Sequence, residues 1–539
     1  MNLRKHFSTR QTAQTQPIPS RGQVQNNAGG FAWAVDHWTR LDRFLILGTD
    51  GGTFYVGERK LTIDNAQAVL DCLAEDGLRT VNRIVEISQS GRAAKNDPAL
   101  FALAMAAADG NEATRKAALA ALPKVARIGT HLFHFMHFVE GFRGWGRGLR
   151  RAVGNWYVDR PAQNLAYQAI KYQQRDGWSH RDALRLAHPI APTDAHNRVF
   201  NWVTQGWDAV PTEPLTEDAA HQMLWAFEKA KRAESQQEII QLVTEYSLPW
   251  EAVPTQWLAN KEIWEALLPK MGLTAIIRNL GRLTANGLLT QGGWLKSDSD
   301  AVRFVEGRLT DPDQLRRARI HPIAVLAAML TYKNGRGVRG KLTWQPIGRL
   351  VDALDDAFYS SFGNVTPSNK RLMLALDVSG SMGWPNLAGV PGLSPRVGSA
   401  AMALVTAATE KDYMMHAFSH KFVKLSISPR QRLDGVLKEV DRLNFGATNC
   451  ALPMVHALEN RIPVDAFVIY TDSETWYGDI HSVQALQEYR QKMSIGAKLI
   501  VVGMASNGFS IADPNDGGML DVVGFDTAVP NIMADFIRQ

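Results

Sequence analysis

The chain has 539 residues, 45% of them hydrophobic and 21% charged, with a formal net charge of +6. This length exceeds what one hydrophobic core fills and the composition excludes a largely disordered or fibrous protein, so we expect two or three globular domains. No apolar run reaches the roughly 20 residues that span a bilayer, and the two cysteines exclude a disulfide framework, so we expect a cytoplasmic protein without membrane contact.

The N-terminal part of the chain contains two predicted elements before the helices begin. Residues 1 to about 30 are polar, rich in Gln and Asn and without periodicity, which predicts a flexible or extended tail. The following segment RFLILGTDGGTFYVGER has two β-rich runs around Thr-Asp-Gly-Gly, which predicts a β-hairpin.

The next region is predicted to be helical throughout. From about Asp64 to Asp356, apolar residues recur three and four positions apart in successive short segments separated by Gly, Pro and Asp. This pattern predicts an α-solenoid of degenerate two-helix repeats, a HEAT-like architecture, within residues 31–370. A solenoid of this kind offers an extended surface rather than a catalytic cleft.

The pattern changes after Lys370, where buried-strand sequences such as RLMLALDVSG and DAFVIYTDSE alternate with helical ones. This alternation predicts a doubly wound, Rossmann-like α/β domain over residues 371–539, with ligands bound at the carboxyl ends of its strands.

Charge is also unevenly distributed. Residues 371–539 have a net charge of −3, whereas residues 115–190 hold 13 Lys and Arg against 4 Asp and Glu. A basic segment of this kind indicates a polyanion-binding surface.

Five oxygen donors lie at predicted strand ends of the α/β domain. They are Asp377, Ser379, Ser381, Thr448 and Asp472. A set with few carboxylates and no sulfur or imidazole suits Mg²⁺ or Mn²⁺. The D-x-S-x-S, Thr, Asp series resembles the metal-ion-dependent adhesion site of von Willebrand factor A domains. The alternative is that Ser, Gly and Asp only form turns.

The stretch KYQQRDGWSHRDALRLAH, residues 171–188, lies within this basic segment and holds Lys171, Arg175, Arg181 and Arg185. Its spacing predicts that Lys171 and Arg175 share one helix face. Ser179 and Asp182 predict a capping box for the following helix. The residues predicted here to bind a polyanion such as RNA are Gln168, Lys171, Arg175, His180, Arg181, Arg185 and His188. The alternative is a solvated cationic face with core histidines.

A second candidate RNA contact lies upstream in GFRGWGRGLRRAVGNWY, where Arg143, Arg147 and Arg151 alternate with tryptophans. Arginine and aromatic side chains together can hold an RNA backbone and stack on its bases. Alternatively, the glycines permit close helix crossing and the aromatic residues belong to the core.

From about Phe31 onward the chain resembles the Ro autoantigen family, the TROVE-module RNA-binding proteins. The most specific similarity is KYQQRDGWSHRDALRLAHP, and RVFNWVTQGW and TYKNGRGVRGKLTW are also similar to family segments. The resemblance implies a monomeric ring of helical repeats closed by the von Willebrand factor A domain. It implies binding of small noncoding Y RNAs outside the ring and of single-stranded ends of misfolded RNAs through its hole. For bacterial members it implies partnership with a 3′-to-5′ exoribonuclease, tethered by the RNA.

The leading prediction is therefore a non-enzymatic ribonucleoprotein component that acts in RNA quality control. The segment GRGVRGK does not predict nucleotide hydrolysis, because Leu342 stands where a phosphate-binding loop has Ser or Thr. One alternative is an adhesion-type scaffold whose metal binds an acidic partner residue, with RNA binding incidental. A metal-dependent nuclease or phosphatase is a third class. It is less favoured because the five oxygen donors form a site for one metal and leave few side chains that could act as a base.

Overall fold

The computed structural model describes residues 11–292, 298–338, 341–363, 365–384, 393–428, 431–443 and 446–539. The described helices are α1 (His37–Leu47), α2 (Glu58–Ser90), α3 (Asp97–Asp109), α4 (Glu112–Val125), α5 (Gly129–Phe142), α6 (Arg147–Val158), α7 (Ala162–Lys171), α8 (His180–Ala187), α9 (Asp194–Gln205), α10 (Ala219–Ala230), α11 (Gln236–Tyr246), α12 (Lys261–Leu267), α13 (Leu273–Ala285), α14 (Asp300–Leu309), α15 (Pro312–Arg317), α16 (Pro322–Lys333), α17 (Gly348–Ser360), α18 (Pro395–Thr409), α19 (Leu433–Asp441), α20 (Leu452–Glu459), α21 (Ser482–Met493) and α22 (Val529–Arg538). The described strands are β1 (Val24–Gln25), β2 (Phe31–Ala34), β3 (Gln174–Arg175), β4 (Trp178–Ser179), β5 (Arg371–Asp377), β6 (Asp412–Phe418), β7 (Phe422–Lys424), β8 (Ala466–Thr471), β9 (Lys498–Gly503), β10 (Phe509–Ser510) and β11 (Met519–Val523). In this part of the chain, no helix has both the length and the apolar character needed to cross a membrane.

Helices α1–α17 form the predicted helical region, in which alternate helices pack side by side. Helix α3 packs on α5, while α4 lies between α2 and α6, and α6 in turn packs on α8. This arrangement explains why apolar residues recur three and four positions apart, since each helix buries one stripe against its neighbours. It confirms the prediction of stacked two-helix units.

The end of the helical region returns to its beginning. The His321 ring, just before α16, donates from Nε2 to the carbonyl oxygen of Arg92, just after α2, over 3.0 Å. The Arg92 guanidinium forms a two-pronged pair with Asp526 near the C-terminus, at 2.9 and 2.6 Å. The helical region therefore closes on itself and on the C-terminal domain, in agreement with the predicted closed architecture.

The C-terminal domain is built on a six-stranded sheet in the order β11-β9-β8-β5-β6-β7. All neighbouring pairs are parallel except β6 with β7. Successive residues of β5 enter two different cores, with Leu372 and Leu374 in one and Met373 and Ala375 in the other. Because side chains alternate across a strand, both faces of the sheet are covered. The predicted doubly wound α/β domain is confirmed.

Residues 11–34 pack on the C-terminal domain. Strand β2 pairs antiparallel with both β1 and β10. The fully buried Gln14 side chain donates to Asn449 Oδ1 at 2.7 Å and to the Ile480 carbonyl at 2.9 Å. The prediction of a flexible tail is therefore wrong for residues 11–30, because another domain satisfies these polar groups. Residues 1–10 of that prediction lie outside the described residues.

The predicted hairpin around residues 49–52 is also wrong, because residues 43–47 belong to α1. The Asp36 carboxylate accepts from the Thr39 backbone N–H at 2.7 Å and caps this helix. Five consecutive residues, Arg43–Leu47, are buried. A buried helix segment of this length presents the same continuous run as a buried strand, so periodicity cannot separate the two.

Candidate functional site

The basic segment includes a short hairpin that the sequence pattern did not predict. Helix α7 ends at Lys171, and Arg175 lies in β3, paired with Trp178 of β4. The two turn residues, Asp176 and Gly177, have φ values of 52° and 79°. Positive φ at both positions is the mark of a two-residue hairpin turn. The prediction that Lys171 and Arg175 share one helix face is therefore wrong.

The predicted capping box of α8 is confirmed. The Ser179 hydroxyl accepts from the Asp182 backbone N–H, and the Asp182 carboxylate accepts from the Ser179 N–H at 3.0 Å. This reciprocal pair fixes the first turn of α8, directly after the hairpin. Arg181 and Arg185 then project from the exposed side of the helix, one turn apart.

Three of the predicted RNA-binding residues are mainly buried. Gln168 accepts from the Gly129 backbone N–H at 2.9 Å. His180 is hydrogen-bonded to the Tyr157 hydroxyl at 2.7 Å, and burial lowers its pKa to about 4. The Lys171 side chain is 16% exposed and pairs with Glu251 at 3.6 Å. These side chains therefore hold packed elements together.

The other predicted residues are exposed. They are Arg143, Arg147, Arg151, Arg175, Arg181, Arg185 and His188, and Arg150 joins them. Two of them bond to backbone, Arg143 to the Ala107 carbonyl at 3.0 Å and Arg185 to the Thr204 carbonyl at 3.3 Å. Among the described residues, no carboxylate pairs with the four arginines Arg147, Arg150, Arg151 and Arg181.

Helices α6 and α8 pack against each other, so their exposed arginines lie on neighbouring helices. We call this set, Arg147, Arg150, Arg151, Arg181 and Arg185, the α6–α8 basic surface. Trp156, which sequence analysis placed among possible stacking residues, is fully buried, and its indole donates to the Ala126 carbonyl at 2.6 Å. The surface therefore offers guanidinium groups to phosphates, while the Trp156 ring belongs to the core.

Four of the five predicted metal donors lie together at the carboxyl end of the sheet, and the fifth, Thr448, accepts from the Thr475 hydroxyl of the loop after β8 through its carbonyl oxygen at 3.2 Å. Asp377 ends β5 and Asp472 follows the adjacent strand β8. One Asp377 oxygen accepts from the Thr471 hydroxyl at 2.7 Å and the other from the Ser379 N–H at 2.9 Å. The Ser379 and Ser381 hydroxyls lie 3.2 Å apart. All five side chains, including Thr448, are buried.

The electrostatics of this end of the sheet are unfavourable without a cation. Burial, and then the neighbouring Asp472, raise the pKa of Asp377 to about 7. Burial also raises the pKa of Asp472. Two buried carboxylates close together repel each other, and a divalent cation would relieve that repulsion. Hydroxyls and carboxylates are hard donors, so the residues fit Mg²⁺ or Mn²⁺.

One acidic residue of this end of the sheet was missed. Glu474 is buried beside Asp472, and burial followed by Asp472 raises its pKa to about 7. Its oxygens accept from the Asn27 backbone N–H at 2.8 Å and side-chain amide at 2.7 Å. The only feature of the sequence that could have indicated Glu474 as part of this site is its position two residues after Asp472. Within the described ranges, no three or more His, Cys, Asp or Glu side chains are grouped to hold a metal, so this set depends on hydroxyls.

Comparisons with known proteins cover nearly the whole chain. A family model described as "TROVE domain" matches residues 24–330, and one described as "Ro60 vWA domain" matches residues 371–537. A Deinococcus radiodurans protein named "RNA-binding protein RO60" is 45% identical, covering 100% of this chain and 99% of its own length. A Caenorhabditis elegans protein of the same name is 36% identical, covering 96% of this chain and 90% of its own length. The crystal structure of the Deinococcus radiodurans RO (RSR) protein matches with a TM-score of 0.70 at 45% identity, covering 93% of this chain and 99% of that chain.

Proposed function

Because this chain belongs to the Ro60 family of TROVE-domain proteins, we propose that it binds RNA through the α6–α8 basic surface. The observation that carries this proposal is the set of four exposed arginines without a carboxylate partner in the described part of the chain. An arginine already paired with a carboxylate must break that pair to bind phosphate. These four can bind phosphate directly, and release of counterions from the RNA then favours binding.

The RNA classes we propose are small noncoding Y RNAs and misfolded RNAs with single-stranded ends, bound for RNA quality control. Arg143, Arg175 and His188 are proposed as further contacts because they are exposed. Gln168, His180 and Lys171 act indirectly, through the packing that positions the exposed residues. A 3′-to-5′ exoribonuclease is the proposed protein partner, tethered by the RNA, and the chain itself is proposed to be non-enzymatic and a monomer.

We further propose that Asp377, Ser379, Ser381, Thr448 and Asp472 hold a Mg²⁺ or Mn²⁺ ion. When bound, such an ion can accept an oxygen ligand from water, a carboxylate or a phosphate. In this chain the residues align the two serine hydroxyls with two buried carboxylates. The adhesion-type scaffold is not favoured, because the named relatives are RNA-binding proteins.

The experiment is RNA affinity measured against salt concentration, with a labelled stem–loop RNA that carries a single-stranded 3′ end. We expect the double variant Arg147→Ala/Arg151→Ala to bind at least tenfold more weakly. Each lost phosphate contact removes about 0.9 from the log–log salt slope, so the slope should fall by up to about two.

The matched control is Arg316→Ala/Arg317→Ala, which removes two exposed arginines from α15. We expect this control to keep the wild-type affinity and slope. If both double variants keep the wild-type affinity and slope, the α6–α8 basic surface is not the RNA site. If both lose affinity equally, RNA binding follows total charge and not this surface.

A further inference from the structure

The turn between β3 and β4 places a carboxylate next to Arg175, one of the proposed RNA contacts. The Arg175 side chain is 58% exposed, and its Nε lies 3.6 Å from one oxygen of Asp176. A carboxylate at this distance attracts the guanidinium and repels an incoming phosphate. The contact therefore opposes RNA binding by Arg175 unless another cation balances the charge of Asp176.

His134 of α5 is placed to balance that charge. Its Nδ1 contacts the other oxygen of Asp176, and its Nε2 lies 3.7 Å from the Asp97 carboxylate at the start of α3. The His134 side chain is 12% exposed, so it lies mostly covered between the two carboxylates. Histidine ordinarily changes its charge between about pH 5 and pH 8. A protonated His134 pairs with Asp176, whereas a neutral His134 leaves the charge of Asp176 to Arg175.

Two other histidines near His134 stay neutral in this range. Burial, followed by Arg127 and His134, lowers the pKa of His131 to about 3. Burial lowers the pKa of His180, whose ring contacts Phe133 of α5, to about 4. Helix α5 packs on α3 and on the β3–β4 hairpin. The remaining titratable or charged residues of these three elements are Asp97, Asp109, His137, Glu140, Arg175 and Asp176.

We propose that Asp176 and His134 together set how strongly Arg175 binds an RNA phosphate. With His134 neutral, Asp176 holds the guanidinium and competes with the RNA. With His134 protonated, Asp176 pairs with the imidazolium and Arg175 is released to bind phosphate. Arg175 therefore contributes more to RNA affinity in mildly acidic solution. This inference rests on the RNA binding proposed above, and it gives Asp176 and His134 positioning roles rather than contacts with RNA.

The test measures the affinity of the full-length protein for the labelled stem–loop RNA in two buffers of equal ionic strength. One buffer is at about pH 5.5, where an ordinary imidazole is protonated, and the other at about pH 8, where it is neutral. Asp176→Asn removes the charge and keeps the turn, because Asn-Gly favours the same hairpin turn as Asp-Gly. In the alkaline buffer this variant should bind about three- to fivefold more tightly than the wild type, the size of one partly exposed ion pair. In the acidic buffer the two should bind alike.

His134→Gln tests the proton itself, because glutamine cannot take up a charge. This variant should match the wild type in the alkaline buffer and bind about threefold more weakly in the acidic one. The matched control is His137→Gln, which alters an exposed histidine of the same helix. It should keep the wild-type ratio of the two affinities. Circular dichroism melting of each variant in both buffers checks that it is folded.

Arg175→Ala identifies the group through which the effect acts. In an Arg175→Ala background, Asp176→Asn and His134→Gln should leave RNA affinity unchanged in both buffers. If Asp176→Asn gives no gain in the alkaline buffer, or if its gain persists without Arg175, this inference fails. The α6–α8 basic surface is judged separately by Arg147→Ala/Arg151→Ala, which leaves the contacts of Asp176 intact. A wild type that binds no RNA would refute both proposals.

Discussion

Arg43 of α1 and Asp521 of β11 form a buried two-pronged ion pair that joins the two domains. One guanidinium nitrogen of Arg43 lies 2.7 and 2.8 Å from the two Asp521 oxygens. The other donates to the carbonyl oxygens of Asn507 and Phe509, both at 2.9 Å. The Arg43 side chain is 1% exposed and that of Asp521 is 13% exposed. Arg43 of the helical region therefore contacts both the edge strand β11 and the segment around β10, which pairs with β2.

Removing this arginine should destabilise the protein strongly. Arg43→Met leaves Asp521 buried without its partner, which costs about 3–5 kcal/mol for a buried pair. The free energy of unfolding, measured in urea, should fall by that amount. Lys60→Met removes the exposed pair of Lys60 with Asp64 and should cost at most about 0.5 kcal/mol. Equal losses in the two variants would contradict the role assigned to Arg43.

Acidification should destabilise the helical region through His180. Its pKa is lowered by burial to about 4, whereas an unfolded histidine titrates near 6.5. The unfolded state therefore binds the proton more readily below pH 6.5. Neutral, buried His180 therefore contributes about 3 kcal/mol to the free energy of unfolding. This contribution is fully present above pH 6.5 and is lost as the pH falls to about 4.

The measurement is the melting temperature between pH 7 and about 4, for the wild type and two variants. His180→Gln should show a shallower decline than the wild type, because it cannot take up the proton. His137→Gln alters an exposed histidine and should keep the wild-type decline. A His180→Gln decline as steep as that of the wild type would show that other groups cause the acid instability.

The turn between β3 and β4 should be sensitive to a side chain at Gly177. Nothing lies within 4 Å of a Cβ built there, so the cost comes from its φ of 79° alone. Gly177→Ala should therefore lose about 1 kcal/mol of stability and displace Arg175, weakening RNA binding several-fold. Gly307→Ala, within α14 and also in open space, should instead gain stability. Unchanged RNA affinity in Gly177→Ala would remove Arg175 from the proposed RNA contacts.

Neutralising Asp377 should raise the melting temperature relative to the wild type when no divalent cation is present, and should remove the stabilisation that the cation gives. Asp377→Asn removes the repulsion between two buried carboxylates, so in the presence of a chelator its melting temperature should exceed that of the wild type by a few degrees. Added MnCl₂ should raise the wild-type melting temperature by mass action and leave the variant unchanged. A variant that still responds to MnCl₂ would place the ion elsewhere.

The features predicted correctly depend on contacts that are close in sequence or on regular strand and helix patterns. The Ser179 and Asp182 capping box is local, and the donors at Asp377 and Asp472 follow recognisable buried strands. The hairpin at residues 174–179 was missed because its strands have two residues each, too few for an alternating pattern. The sequence signal for this hairpin was the pair Asp176-Gly177, because Asp-Gly strongly favours two-residue hairpin turns.

The features predicted incorrectly depend on distant partners. The chain around Gln14 and Asn27 appears polar and unstructured in composition, yet its amides bond to residues more than 430 positions away. The burial of His180 and Lys171 likewise follows from Tyr157 and Glu251, which lie on other elements. Sequence spacing shows which residues share a helix face, but not which neighbour covers that face.

The pairing of β2 with β10 also determines the order in which the protein can be completed during synthesis. Ala34 pairs with Phe509, 475 positions later in the chain. At about 5–20 residues per second, the ribosome needs roughly 25–95 s to make the intervening polypeptide. Throughout this interval β2 can pair with β1 but not with β10, while the helices that follow it can already fold. Residues 31–34, although made before the helices, are therefore among the last to reach their native position.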